Sequence, residues 1–334
     1  MRYDSTLPVV AVFARVTITD PVEKPVKIWD NDVMNTIIAK ENSEKESDIV
    51  ASQSLDVSSI DVVCLMWGPY RNLTTLTAAV LFLHPQCQVL NHAGIRIFDD
   101  DRLDFLKQYS TSRFDAFLRY ATYISQKGGR GQVGGSITFS HAFDPEHTVR
   151  ETFAHTGQGL LKKDIRALFW KESMLTTNHL RTNNVAIDSL LAASEKIKFL
   201  MPVRHPLDCA ESNIKTGHIR YLFDADTIPV SKEQVTRSIL QQLAQFKTLH
   251  QRYPDRFFYY FSNAVERETF TDMAAFLGLD DNEEWPDSAC AAYTVKQRNA
   301  YTHSAQDIAA YKELVHELFE PFPDMLPPLL AFVE

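Results

Sequence analysis

The chain has 334 residues, 45% of them hydrophobic and 23% charged, which is the composition of a soluble globular protein long enough for one large α/β domain or two ordinary ones. Its 34 basic and 43 acidic side chains leave a net charge of −9, which argues against a general binder of nucleic acid or anionic membranes and makes any phosphate site a local one. Cys64, Cys87, Cys209 and Cys290 form no zinc or redox spacing, no apolar run reaches the roughly 18 residues of a membrane span, and the start has no signal-peptide pattern, so a cytoplasmic protein without stable membrane insertion is expected.

Residues 1–58 read as an N-terminal extension, with a β-like VVAVFARVTIT and a charged KENSEKESD at 40–48 that reads as a solvated loop. The segment 59–334 reads as one α/β domain. IDVVCLM at 60–66 is apolar throughout, as a strand buried on both faces is. A helix is expected from Thr74 to Leu83, stopping at His84-Pro85, and CQVLNH gives a second strand. Residues 101–127 are helical by pattern. GGRGQVGG at 128–135 holds five of the 11 glycines and reads as a flexible loop before a β-like SITFSHAF. KIKFLMPVRHP repeats the strand-then-loop design and leads into a helix. Ser231 caps a helix over 231–253, RFFYYFSN is a strand, and RETFTDMAAFLGL is a helix closed near Gly278. Strands alternating with helices predict a three-layer α/β domain with a mainly parallel central sheet.

The loop GPYRNLTT follows the first strand and opens a helix, an arrangement that turns backbone N–H groups and a helix dipole toward an anion. Arg71 adds a charge, and Thr74 and Thr75 add hydroxyl donors. The loop has no lysine and is not a Walker A sequence, which disfavours ATP or GTP hydrolysis. Taken by itself it is equally an ordinary strand-to-helix turn with a surface arginine. A second such element lies at FLMPVRHPLDCAESNIK, where Arg204 ends a strand and Ser212 stands eight residues on, about two helical turns. Together an arginine and a serine there could grip one phosphate from two sides.

These two elements resemble those of the sulfotransferases that use 3′-phosphoadenosine 5′-phosphosulfate (PAPS). In that family a Pro-(Lys/Arg)-Ser-Gly-Thr-Thr loop binds the 5′-phosphosulfate, and an Arg-x-Pro-x-Asp-x-x-x-Ser element binds the 3′-phosphate. Tyr70 to Thr75 matches the first in part; Arg204 to Ser212, through Pro206 and Asp208, matches the second completely. LHPQCQVLNHAG, FWKES and YFSNAVERETFTDMAAFLGL are similar to later family segments in the same order, so the likeness runs over about residues 60–280. It implies a P-loop NTPase-like domain, PAPS as co-substrate and no metal. Nucleotide contacts would come from Gly68, Arg71, Asn72, Leu73, Thr74, Thr75, Arg204 and Ser212. Leu73 stands where the family has glycine, and it demands an unusual backbone conformation if that position needs positive φ. The glycine-rich basic motif of the cytosolic animal members is absent; Lys296 or Arg298 is the expected substitute.

The resemblance also implies the chemistry. Arg71 and Lys171 would neutralise the transferring group and the departing bisphosphate, by analogy with phosphoryl transfer. The loop and the His92 position are similar to those of the tyrosylprotein/bacterial branch, in whose tyrosylprotein members the catalytic glutamate falls on the position of His92, and an imidazole suits proton abstraction at neutral pH. Glu172 is the reserve base, and the alternatives are a core histidine and a plain Lys171–Glu172 ion pair. The acceptor is undetermined; a small molecule, sugar or lipid fits a cytoplasmic enzyme better than a secretory protein does, and residues 93–165 are expected to supply most of its contacts; nucleic acid is not expected, and the oligomeric state is open. Gly129, Gly131 and Gly134 match GxGxxG in the wrong context, and His141, Asp144, Glu146, His147 and His155 match no zinc spacing. Two rival readings stay open: a catalytically idle nucleotide-binding protein of the same fold, and a small-molecule kinase.

Overall fold

The computed structural model describes residues 43–130, 132, 134–223, 231–294 and 301–334, so the β-like stretch near the start and both Lys296 and Arg298 lie outside the described residues. Residues 45–334 form one compact unit. Its sheet contains β1 (Val62–Met66), β2 (Cys87–Asn91), β3 (Gly135–Ser136), β4 (Ala167–Lys171), β5 (Ile197–Val203) and β6 (Phe257–Phe261), in the order β3-β2-β4-β1-β5-β6. Every pairing is parallel except β3 with β2. The expected mainly parallel α/β architecture is the one observed.

Parallel neighbours need crossovers, and helices supply them. The helices that matter here are α1 (Thr74–Leu81), α2 (Gly94–Phe98), α3 (Thr111–Ile124), α4 (Thr148–Thr156), α5 (Met174–Thr182), α6 (Ile187–Ala193), α7 (Pro206–Lys215), α8 (Lys232–Arg252), α9 (Arg267–Phe276), α10 (Glu284–Ala292) and α11 (Ala305–Phe319). Side chains of β1 alternate between two cores. Val63 and Leu65 pack in the core that includes α3, α8 and α11, whereas Val62, Cys64 and Met66 pack with α1, α9 and α10. That alternation makes three layers and explains why β1 is apolar at every position. Among the described residues no helix is long and apolar enough to cross a membrane.

β1 lies between β4 and β5, and the chain leaves it first toward β2 and later toward β5. The carboxyl ends of β2, β4, β1 and β5 therefore share one edge, the place where open parallel sheets bind ligands. Ser231 caps α8 as expected: its hydroxyl accepts from the Gln234 N–H at 3.2 Å, and Gln234 Oε1 accepts from the Ser231 N–H at 2.7 Å. Gly278, at φ 65°, follows the end of α9.

Three expectations fail locally. The charged segment at 40–48 is not a solvated loop where it is described, because residues 43–52 are helical. Lys45 pairs with Asp100 at 3.3 Å, and Asp48 pairs with Lys127 at 2.7 Å, so its charges meet partners on the unit instead of water. Residues 101–110 are turns ahead of α3; Asp100 and Asp104 side chains accept from the N–H groups of Arg102 and Lys107 and divert the backbone from a helix. SITFSHAF contributes only Ser136 to a strand and then makes two 3₁₀ turns, Ile137–Phe139 and His141–Phe143, the first with the Ser136 hydroxyl accepting from the Thr138 N–H.

The glycine-rich segment closes on itself where it is described. The Ser136 N–H donates to the Lys127 carbonyl at 2.8 Å, and a Cβ on Gly135 (φ 148°) would stand 2.4 Å from that same carbonyl oxygen. At Gly129 a Cβ would meet only the Gln132 side chain, at 3.7 Å. Gly135→Ala is therefore expected to destabilise the protein by about 2 kcal/mol or more, and Gly129→Ala by less than about 0.5 kcal/mol, in urea denaturation. Equal effects would contradict a backbone-closure role for Gly135.

Candidate functional site

The loop after β1 runs from Trp67 to Leu73 and enters α1 at Thr74. Gly68, at φ 100°, lies against β5, where a Cβ would stand 3.0 Å from Met201 Cε, and its N–H donates to Thr177 Oγ1 at 3.2 Å. Gly68 shapes the loop, and its amide is already committed. Arg71 and Leu73 both take left-handed backbone, at φ 63° and φ 57°. Leu73 thus adopts the conformation that glycine gives most easily, at a cost of roughly 1–2 kcal/mol. Thr74, buried, and Thr75, half-buried, open the helix.

The loop is tied to the end of β5 and to α7. Asn72, 2% exposed, donates to the Pro202 carbonyl and accepts from the Arg204 N–H at 2.9 Å. Arg204 Nη1 donates to the Arg71 carbonyl at 3.1 Å, and Arg71 Nε donates to Ser212 Oγ at 2.8 Å. Asn213 Nδ2 donates to the Tyr70 carbonyl at 2.8 Å. The two arginine-bearing elements, more than 130 residues apart, therefore meet through direct contacts.

A second group stands at the ends of β2 and β4. Lys171 Nζ lies 3.0 Å from His92 Nε2, and His92 Nδ1 lies 3.4 Å from Glu172 Oε1. An ammonium only donates, so the imidazole holds its proton on Nδ1 and offers the Nε2 lone pair. Glu172, 1% exposed, is fixed through Oε2, which accepts from the Gly94 N–H at 2.6 Å. Gly94 has no room for a side chain, since a Cβ would fall 2.9 Å from the Glu172 carboxyl carbon. Trp170 Nε1 donates to the His92 carbonyl at 2.6 Å. The His92 ring is 37% exposed and open to a reactant.

Positive charge dominates this edge. Burial lowers the Lys171 pKa to about 8; Glu172 opposes that shift and Arg71 adds to it. Burial, and then Arg71, Arg220, Lys171 and His92, push His218 down to about 4. His141 is lowered as well, first by burial and then by Lys171 and Arg71. Tyr70 is raised, first by burial and then by Glu172. Six non-glycine residues among those described have positive φ, and five of them, Arg71, Leu73, His92, Ala93 and Ser173, lie at the ends of β1, β2 and β4. Strained backbone of this kind concentrates at functional sites.

The structure brings Arg71, Asn72, Arg204 and Ser212 together in one group and His92, Lys171 and Glu172 in another, with Arg71 near enough to Lys171 to depress its pKa. Sequence reasoning missed Gly94, Asn213 and His218, and it considered His141 only for metal, not as a neighbour of Lys171 and Arg71. Gly94 carried a signal, as a lone glycine just past a strand; Asn213 adjoins Ser212, but nothing local marks its bond to Tyr70. In the His141–His155 run, which matched no zinc spacing, Asp144 is paired with Arg130. Among the described residues the one group able to surround a metal is His205, Asp208 and His303, a set the spacing did not suggest.

No protein-family model and no curated protein matches the chain. Among solved structures the chain is similar to mouse sulfotransferase SULT7A1 complexed with PAP, at 11% identity and TM-score 0.39, with 86% of this chain and 93% of that chain covered. It is similar to sulfotransferase STF9 from Mycobacterium avium at 11% identity and TM-score 0.41, with 86% and 81% covered. A sulfotransferase from Alicyclobacillus acidocaldarius gives 12% identity and TM-score 0.38, with 80% and 95% covered.

Proposed function

We propose that the protein transfers a sulfuryl group from PAPS to a hydroxyl or amine of a small-molecule, sugar or lipid acceptor. The observation that carries this reading is the meeting of the loop arginine with Ser212 and Arg204 beside a buried lysine that touches a half-exposed histidine. Arg204 and Ser212 take the 3′-phosphate, while the N–H groups that open α1, with Thr74 and Thr75, take the 5′ end. Arg71 turns from Ser212 to the sulfonate. Lys171, drawn to the same anion, leaves His92 Nε2 free. The acceptor oxygen then forms the new bond to sulfur as the bond from sulfur to the 5′-phosphate oxygen breaks. His92 Nε2 takes the acceptor proton, and the charge that develops on the departing bisphosphate falls on Arg71 and Lys171. Glu172 keeps the His92 ring oriented through Nδ1.

Calorimetry with adenosine 3′,5′-bisphosphate and a transfer assay with labelled PAPS over an acceptor panel test the reading. His92→Ala should bind the bisphosphate as the wild type does and lose on the order of 10²–10⁴-fold in turnover, the usual worth of a general base. Full activity in that variant would move the base elsewhere. Binding without any transfer would favour an idle nucleotide-binding protein, and magnesium-dependent use of ATP would favour a kinase.

The Lys171 shift gives a pH test with a definite sign. At pH 8 the free site holds Lys171 about half-protonated, and a polyanion beside it favours the charged form. The ligand phosphates are fully ionised at that pH. Binding should then take up a net fraction of a proton, at most about half, and the uptake should fade toward pH 7, where Lys171 is already charged. Calorimetry in buffers of different ionisation enthalpy measures it. Net release at pH 8 would contradict Lys171 as a contact of the anion.

A further inference from the structure

Arg204 is held by a line of polar groups that ends in the C-terminal part of the chain. Asp208 Oδ2 lies 3.6 Å from Arg204 Nη2, and Asp208 Oδ1 lies 2.8 Å from His303 Nε2. The His303 side chain is only 7% exposed. Its other nitrogen, Nδ1, lies 2.9 Å from Lys232 Nζ, the first residue of α8. Lys232 is itself paired with Glu211 at 3.3 Å and with Asp307 at 3.2 Å. An ammonium has no lone pair, so His303 Nδ1 accepts and the ring proton sits on Nε2, pointing at Asp208. The neighbouring His205 ring, 5.2 Å away, is kept neutral by burial, with its pKa lowered to about 4.

The same tautomer argues against a metal among His205, Asp208 and His303. A metal on Nε2 requires the proton on Nδ1, where an N–H of Lys232 already points. With Nε2–H donated to it, the Asp208 carboxylate is held from a side opposite in sequence to its arginine partner. An isolated i,i+4 pair contributes little and orients little. A carboxylate fixed by a buried imidazole orients the guanidinium far better.

We propose that His303 is a positioning residue: its Nε2 proton fixes Asp208, Asp208 orients the Arg204 guanidinium, and recognition of a phosphate on the ribose 3′ position therefore depends on the C-terminal segment. This rests on the sulfotransferase reading of the site. Wild type, His303→Ala and His303→Gln are titrated with adenosine 3′,5′-bisphosphate and with adenosine 5′-monophosphate. His303→Ala should weaken the bisphosphate roughly 5–10-fold and the monophosphate less than about twofold. His303→Gln, whose amide still donates to Asp208, should stay within about threefold of wild type for both. An unchanged bisphosphate affinity in folded His303→Ala, or equal weakening of the two nucleotides, overturns the proposal. If His303→Ala does not fold by circular dichroism, His303→Leu, which fills much of the ring's space without a donor, should show the same selective loss, and wild-type selectivity there overturns it. A wild type that binds neither nucleotide removes the sulfotransferase reading as well, whereas wild-type binding with an unaffected variant removes this inference alone.

Discussion

The side-chain amide of Asn72 joins the loop after β1 to the end of β5, giving its N–H to the Pro202 carbonyl and taking the N–H of Arg204 at 2.9 Å. A buried amide with both ends committed fixes direction as well as position, and a residue unable to do both would leave buried groups unpaired, at about 1–3 kcal/mol each. From this bridge follow the contacts of Arg204 with the Arg71 carbonyl and of Arg71 with Ser212. Parallel pairing extends the logic sideways: β4 adjoins both β1 and β2, and the His92 N–H donates to the Lys171 carbonyl at 3.0 Å. Four strand ends are thereby brought to one edge with their functional side chains in fixed order.

That edge is electrostatically open to an anion although the chain is acidic. Arg71, Arg204 and Lys171 converge there, and the nearby carboxylates are already engaged, Glu172 by the Gly94 N–H and Asp208 by His303 and Arg204. Burial, with neighbouring positive charge, holds Lys171, His141 and His218 below their ordinary pKa values, and an anion at this edge would favour their charged forms. The strain at Arg71, Leu73, His92, Ala93 and Ser173 has the same location. Packing of the two cores on either side of the sheet sustains both costs.

Much of this was legible in the sequence wherever the cause is local. β1 declares itself by an unbroken apolar run and β5 by one interrupted only at Lys198, α8 by Ser231 with Gln234, and the end of α9 by Gly278. Leu73 marked the place where left-handed backbone was needed, and the backbone there is left-handed. Features set by distant partners were not legible. Residues 43–52 carry the composition of a solvated segment, yet Lys45 and Asp48 meet Asp100 and Lys127 far along the chain. The SITFSHAF stretch has strand-forming residues, but the Ser136 hydroxyl competes for the backbone and turns it. His303 lies 95 residues from Asp208, and no spacing rule links them.

The central claim is that one ligand with two phosphates joins the Arg71 loop to Arg204 and Ser212. A crystal structure with adenosine 3′,5′-bisphosphate tests it most directly. The account predicts one phosphate on the N–H groups that open α1, the other on Arg204 and Ser212, and the Arg71–Ser212 hydrogen bond opened to admit them. A bisphosphate bound away from this edge, or at it with Arg204 and Ser212 untouched, would contradict the account.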